Sequence, residues 1–154
     1  MNLPRTLIVL FAIAGLAAFA SSGKSPDRRY IEPRSASASA EPLPFSGAVL
    51  VGDTLYISGD IGLEPGNKVP AEAATEARLL MERYEKRLAA AGMTMDDLVY
   101  VTVYSSDVSD YAVFNAEYRR RFHREFPARA YIGAGKLLFG ARWEMQGTAI
   151  RRRP

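Results

Sequence analysis

Ala48-Val-Leu-Val51, Gly52-Asp53 and Thr54-Leu-Tyr-Ile-Ser58 decide how the chain is read. Two short runs rich in Val, Leu, Ile and Tyr flank a Gly-Asp pair, and that pair supplies the turn of a β-hairpin. Ser58-Gly-Asp-Ile-Gly62 follows, with glycines where a backbone must pass close to something and with Ser58 and Asp60 read as turn-forming. Glu64-Pro-Gly-Asn67 is a further turn. The period then changes. Ala74, Ala77, Met81, Tyr84, Leu88 and Ala91 recur at spacings of three and four, which predicts an amphipathic helix over Ala71 to Ala91, started by Pro70 and stopped by Gly92.

Downstream, Val99-Tyr-Val-Thr-Val-Tyr104 alternates and is β-branched, so it is a strand. Ser109-Asp110 can cap a second helix from Tyr111 to about His123, with Val113, Phe114, Tyr118 and Phe122 as its buried stripe and Pro127 as its stop. Strands are expected near Ala128 to Gly133 and Arg142 to Arg151. Strands, helix, strand, helix, strands is the order of an α+β domain: a mixed β-sheet with two helices packed on one face. The other face is expected to carry Val, Tyr, Trp and Met as well as charges, and a sheet covered on one side buries the other against a partner.

Upstream, Arg28-Arg-Tyr-Ile-Glu32 reads as a short edge strand and Ser35 to Ala40 (SASASA) as a low-complexity loop. Residues 21–27 are polar, with Gly, Ser and Pro, and read as a linker. Residues 1–20 read as a signal peptide: Arg5 is the positive region, Leu7 to Ala20 is uncharged, and Ala18-Phe-Ala20 before Ser21 fits a small-x-small cleavage site. The uncharged run is shorter than the roughly 20 residues that span a bilayer, and the alternative is a retained N-terminal anchor. No Cys follows it to carry a lipid. The expectation is a periplasmic or secreted domain of residues 28–154, with no membrane contact once the signal is cleaved.

The 154 residues suit one domain, and 48% hydrophobic with 24% charged residues is ordinary for a globular protein. A net charge of +3 is too small to argue for nucleic-acid binding. Arg119-Arg-Arg121 and Arg151-Arg-Arg153 read as a solvated helix face and a frayed end. The absence of Cys excludes disulfides, thiol catalysis and cysteine metal sites. One histidine, His123, without patterned carboxylates nearby, does not make a metal site.

The chemistry lies in Phe126-Pro-Ala-Arg129 and, fifteen positions after the Arg, Glu144 in Gly140-Ala-Arg-Trp-Glu-Met-Gln-Gly147. Arginine is the side chain shaped to grip a small carboxylate with two parallel hydrogen bonds, and a lone Glu in an apolar strand is a candidate general base. Plainer readings exist for each. Arg129 could be a structural ion-pair partner. Arg142, Glu144 and Gln146 could form a surface ladder with Trp143, Met145 and Gly147 facing the core. Tyr131, two residues past Arg129 and on the same strand face, could be a core or interface residue.

Pro44-Phe-Ser-Gly-Ala-Val49, Leu55-Tyr-Ile-Ser-Gly59, Ala89-Ala-Ala-Gly92, Asp97-Leu-Val-Tyr-Val-Thr-Val-Tyr104, Phe114-Asn-Ala-Glu-Tyr118, Phe126-Pro-Ala-Arg129 and Gly140-Ala-Arg-Trp-Glu144 together resemble the RidA/YjgF family, the reactive-intermediate imine deaminases. The resemblance covers the chain from about Arg28 to the end. It implies a chorismate-mutase-like subunit, a homotrimer with sites in the clefts between neighbours, and hydrolysis of short 2-imino or 2-enamino acids to 2-keto acids and ammonia without metal or organic cofactor. By the same resemblance Arg129 binds the substrate carboxylate, Glu144 positions or activates water, Gly59 turns a backbone group to the ligand, Phe45 lines the pocket and Asn115 gives structural support. Four residues depart from the family pattern: Phe45 stands where a Tyr is usual, Asp60 where Gln is frequent, Tyr131 where Ser, Thr or Cys is found, so that as a substrate-binding residue it can narrow the pocket or offer its hydroxyl, and Gln146 replaces the second Glu of Glu-x-Glu. A binding module holding a small carboxylate without turnover is the rival reading, favoured by Tyr131 and Asp60. RNA cleavage lacks a His pair and a basic stripe, whereas a chaperone role is compatible with the sequence.

Overall fold

The computed structural model describes residues 27–31 and 43–152. The signal, most of the linker and the Ser35 to Ala40 loop lie outside these residues. Six strands form one sheet in the order β1-β2-β3-β6-β4-β5. They are β1 (Arg28–Ile31), β2 (Ala48–Val51), β3 (Thr54–Ile61), β4 (Leu98–Ser105), β5 (Ala128–Gly133) and β6 (Trp143–Ile150). The β4–β5 pair is parallel and the others are antiparallel, so the sheet is mixed, as expected. Helices α1 (Ala73–Ala90) and α2 (Tyr111–Arg119) pack against each other, and α1 lies on β3 and β6.

The hairpin β2–β3 turns at Gly52 and Asp53, where Gly52 has φ +59, a conformation that favours glycine. The strand β3 runs further than the sequence suggested. It continues through Ile61, and its register against β6 shifts between Ile57 and Asp60. Ser58 and Gly59 are therefore a bulge inside a strand rather than a turn after one.

The helices bury their stripes against the sheet. Leu80, Met81, Tyr84 and Leu88 of α1, Phe114 and Tyr118 of α2, and Leu55, Val101, Trp143 and Met145 of the sheet form one core. Each such aliphatic side chain contributes about 1.5–3 kcal/mol on burial. Ala74, expected in the α1 stripe, is exposed, and the buried positions of that turn are Glu76 and Ala77. Trp143 and Met145 lie under the helices and not on the uncovered face. That face carries Tyr56, Tyr100, Tyr104, Thr102, Gln146 and Thr148, several of which line an open depression of about 450 Å³. Among the described residues no helix is long and apolar enough to cross a membrane.

Two ends differ from expectation for identifiable reasons. Asp107, not Ser109 or Asp110, accepts a cap bond from Ser109 N at 2.8 Å, at a single 3-10 turn before α2. The helix α2 then stops at Arg119 rather than near His123. A longer helix would commit the His123 N–H to the carbonyl four residues back, but Asp96 Oδ1 accepts that N–H at 2.9 Å. Arg142 likewise does not begin β6. Its guanidinium pairs with the fully buried Glu76 at 2.7 Å, and the same carboxylate accepts the backbone N–H groups of Arg142 and Trp143. The surface ladder therefore loses its first member.

Candidate active site

Pro127 precedes β5, where a residue without an N–H is tolerated at the start of an edge strand. Arg129 and Tyr131 sit opposite Val101 and Val103 of β4, both core residues, so their side chains point to the helix layer. There Arg129 meets α2. Its Nη2 donates to Asn115 Oδ1 at 2.7 Å and lies 3.5 Å from the Tyr111 hydroxyl. Its guanidinium carbon stands 4.7 Å from the centre of the Tyr118 ring and 5.8 Å from those of Tyr111, Phe114 and Tyr131. Nη1 is enclosed without a hydrogen-bond partner among the described residues. A charged donor left so is costly, and Arg87 Nη1 and Arg121 Nε are in the same position.

The electrostatics of this aromatic box differ from ring to ring. Burial pushes the Tyr118 phenol up to about 12, while the neighbouring Arg129 pulls it down. Tyr111 moves the other way: a hydrogen bond from Asn115 and, next, the Arg129 charge hold its phenol below its ordinary value. Tyr131 has a committed hydroxyl. It accepts from Trp143 Nε1 at 2.8 Å and donates to Ser105 Oγ at 3.0 Å, and Ser105 Oγ donates in turn to the Asp107 carbonyl at 2.7 Å. The ring of Tyr131, not its hydroxyl, is what it presents beside Arg129.

Glu144 lies between Trp143 and Met145 on β6 and, by strand alternation, projects to the opposite face. It is paired with Ile61 in register. At the β3 bulge a β-carbon on Gly59 would collide with Glu144 Oε1, so the glycine is what admits the carboxylate. Gln146, on the same face, donates to the Tyr104 hydroxyl at 3.0 Å.

The structure thus brings Gly59 and Glu144 together, and separately brings Arg129 and Tyr131 together with Asn115. Within one chain the two groups are on opposite faces of the sheet. Phe45, just before β2, is 48% exposed. Asp60 does not belong to either group. It is buried toward α1, accepting from Arg87 Nη2 at 2.8 Å and Arg83 Nη1 at 3.4 Å, which corrects its reading as a turn former. Sequence reasoning missed Tyr111 and Tyr118 as parts of the Arg129 box. The signal was present, since 111, 115 and 118 follow the four-and-three spacing of one helix face. Among the described residues no cluster of three or more His, Asp or Glu could hold a metal ion.

The chain is thus an α+β subunit with an Arg boxed by four aromatic rings and a Glu lodged against a bulge glycine. A family model described as Endoribonuclease L-PSP matches residues 36–151, and the chain belongs to that family, RidA/YjgF. The human 2-iminobutanoate/2-iminopropanoate deaminase is 38% identical over 110 residues, covering 70% of this chain and 80% of that protein. The crystal structure of the E. coli YjgF gene product is 30% identical with a TM-score of 0.71, covering 80% of this chain and 99% of that one. The crystal structure of E. coli TdcF with bound serine is 26% identical with a TM-score of 0.71, covering 80% of this chain and all of the other.

Proposed function

We propose that the chain hydrolyses short 2-imino or 2-enamino acids to 2-keto acids and ammonia, in a cleft shared by two copies of a homotrimer. It is an imine deaminase that uses no cofactor. The observation that carries the reading is the guanidinium of Arg129, held at Nη2 by Asn115 and left without a partner among the described residues at Nη1, a charged fork of the kind that grips a carboxylate. The deaminase named among the relatives supports the substrate class, as does the serine bound by TdcF, a molecule that carries a carboxylate.

Arg129 fixes the substrate carboxylate and with it the neighbouring C2. A water hydrogen-bonded to Glu144 attacks C2 of the iminium form. As the C–O bond forms, Glu144 takes the water proton, and it then delivers that proton to the nitrogen. Collapse of the carbinolamine breaks the C–N bond, passes the hydroxyl proton back to Glu144 and releases ammonia and the keto acid, and that proton leaves with the products. An enamine is first protonated at carbon. Because one chain turns Arg129 and Glu144 to opposite faces, the pair that acts on one substrate comes from two subunits. Residues 1–20 direct the domain to the periplasm or outside the cell.

The test is ammonia release from 2-iminobutyrate generated in situ by an amino-acid oxidase. Wild type accelerates it, Arg129→Ala and Glu144→Ala do not, and co-expression of the two inactive variants restores part of the rate through mixed trimers. Near-normal turnover by Arg129→Ala would sink the reading. The second reading, a carboxylate-binding trimer without turnover, is favoured by the Tyr131 ring beside Arg129. It is the outcome if the keto acid stabilises the protein thermally and no ammonia appears.

A further inference from the structure

Of the four rings around Arg129, Phe114 and Tyr118 are buried at 0% and 3% exposure and Tyr131 is partly buried, whereas Tyr111 is 46% exposed. The three phenols are not equivalent either. The Tyr131 hydroxyl is committed to Trp143 and Ser105, and the Tyr118 hydroxyl is buried without a partner among the described residues. Tyr111 is left as the phenol that a solute arriving from solvent meets at Arg129. Its hydroxyl stands 3.5 Å from Nη2, a distance at the limit of a hydrogen bond, against 2.7 Å for Asn115 on the same nitrogen. An anion oxygen lying between the guanidinium and the phenol would accept from both.

We infer that Tyr111 is a substrate-contacting, specificity-determining residue, its phenol donating to the carboxylate that Arg129 binds. This rests on the proposed role of Arg129. The ring is fixed independently of any ligand by edge contact with Tyr131, centroids 4.9 Å apart at 89°, so the hydroxyl is delivered to one place. The phenol is acidified by its Asn115 bond and by Arg129, which strengthens it as a donor while it stays protonated. Once ionised it would repel the carboxylate, so binding falls as pH rises through a value below the ordinary phenol pKa of about 10. The charged and titratable neighbours are Arg129 and Tyr131 from β5, Arg119 from α2, and Asp107 and Asp110 from the turn before it.

The experiment is calorimetric titration of the full trimer with 2-ketobutyrate, the product of the proposed reaction, from pH 7 to 10, on wild type, Tyr111→Phe and Arg129→Ala. Tyr111→Phe keeps the ring contact and removes the donor. The expected result is about tenfold weaker binding at pH 7, the loss of one hydrogen bond to a charged group, with the alkaline fall in affinity abolished and the melting temperature unmoved. Wild-type affinity and an unchanged pH profile in Tyr111→Phe, with binding lost in Arg129→Ala, would overturn the role of Tyr111 and leave that of Arg129 intact. Undiminished binding by Arg129→Ala would overturn both.

Discussion

Gly59→Ala separates the placement of Glu144 from its chemistry, because it alters no ionisable side chain. The added β-carbon would collide with Glu144 Oε1, with the Cδ and Cγ of the same side chain next in line. The obstacle is the far end of a flexible side chain, and Gly59 needs no positive φ, so the backbone can stay and the carboxylate swings away. Leaving its preferred rotamer costs on the order of 1 kcal/mol, a fall of about 4 °C in melting temperature for a domain of this size. The catalytic cost is larger. The carboxylate retreats by on the order of 1 Å, and a displacement of that size in a reacting group costs on the order of 10²-fold. Steady-state ammonia release should therefore show kcat down about a hundredfold with KM for the imino acid nearly unchanged, since in the proposed trimer the Arg129 that grips the carboxylate comes from the neighbouring copy. A Gly59→Ala enzyme with wild-type kcat would refute the reasoning, for it would mean that the contact between the bulge and Glu144 does not set the water-activating geometry.

Two further outcomes concern the frame that carries the site. Glu76→Ala removes the acceptor of Arg142 and of two backbone N–H groups at the start of β6, so about 3–5 kcal/mol of stability is lost, seen as a lower urea midpoint with unchanged slope. The buried phenols set an alkaline limit: Tyr84 is held well above its ordinary pKa by burial, and Tyr118 at about 12. A group whose folded pKa is raised gives its full stability below the unfolded value of about 10 and loses it as pH rises through the folded one, so stability is level to about pH 10 and falls above it. Tyr118→Phe, which removes a hydroxyl without a partner among the described residues, should be neutral or stabilising at pH 7 and shallower in its alkaline fall. Tyr84→Phe, which breaks a 2.6 Å bond to the Met145 carbonyl, should cost about 1 kcal/mol at pH 7.

What was legible in the sequence is what local periodicity and turn chemistry decide. The hairpin at Gly52-Asp53, the stripe of α1 and the alternation of β4 depend on neighbours within a few residues, and each stands where it was expected to within two residues, the extension of β3 aside. The end of α2 was not legible, because a carboxylate twenty-seven residues earlier, Asp96, captures the His123 amide. Arg142 was misread for the same kind of reason: its partner Glu76 is sixty-six residues away. Asp60 has turn-forming chemistry, but two arginines on α1 draw it into the interior. Burial of a charged residue is a property of its partners, and those are fixed only when the helix lies on the sheet. At the candidate site, residue types pointed to Arg129 and Glu144, whereas the committed hydroxyl of Tyr131 depends on Trp143 and Ser105 from two other strands and had no local signature.

The sheet order carries the last step. Arg129 is on β5 and Glu144 on β6, and β4 lies between them. Two strand spacings are about 10 Å, before counting that the side chains leave opposite faces. In a 2-imino acid the carboxylate carbon and C2 are joined by one bond, and the attacking water must come within about 3–3.5 Å of C2. A base that activates that water and a guanidinium that grips that carboxylate therefore have to converge from the same side of a small solute. One copy of this fold holds them apart, and longer side chains would not bring them together through a core filled by Val101, Val103 and Trp143. In the proposed trimer a second copy brings its Glu144 face to the α2 edge of the first. On this reasoning the fifteen-residue interval between Arg129 and Glu144 does not measure a pocket within one chain, and catalysis, if it uses both residues, depends on assembly.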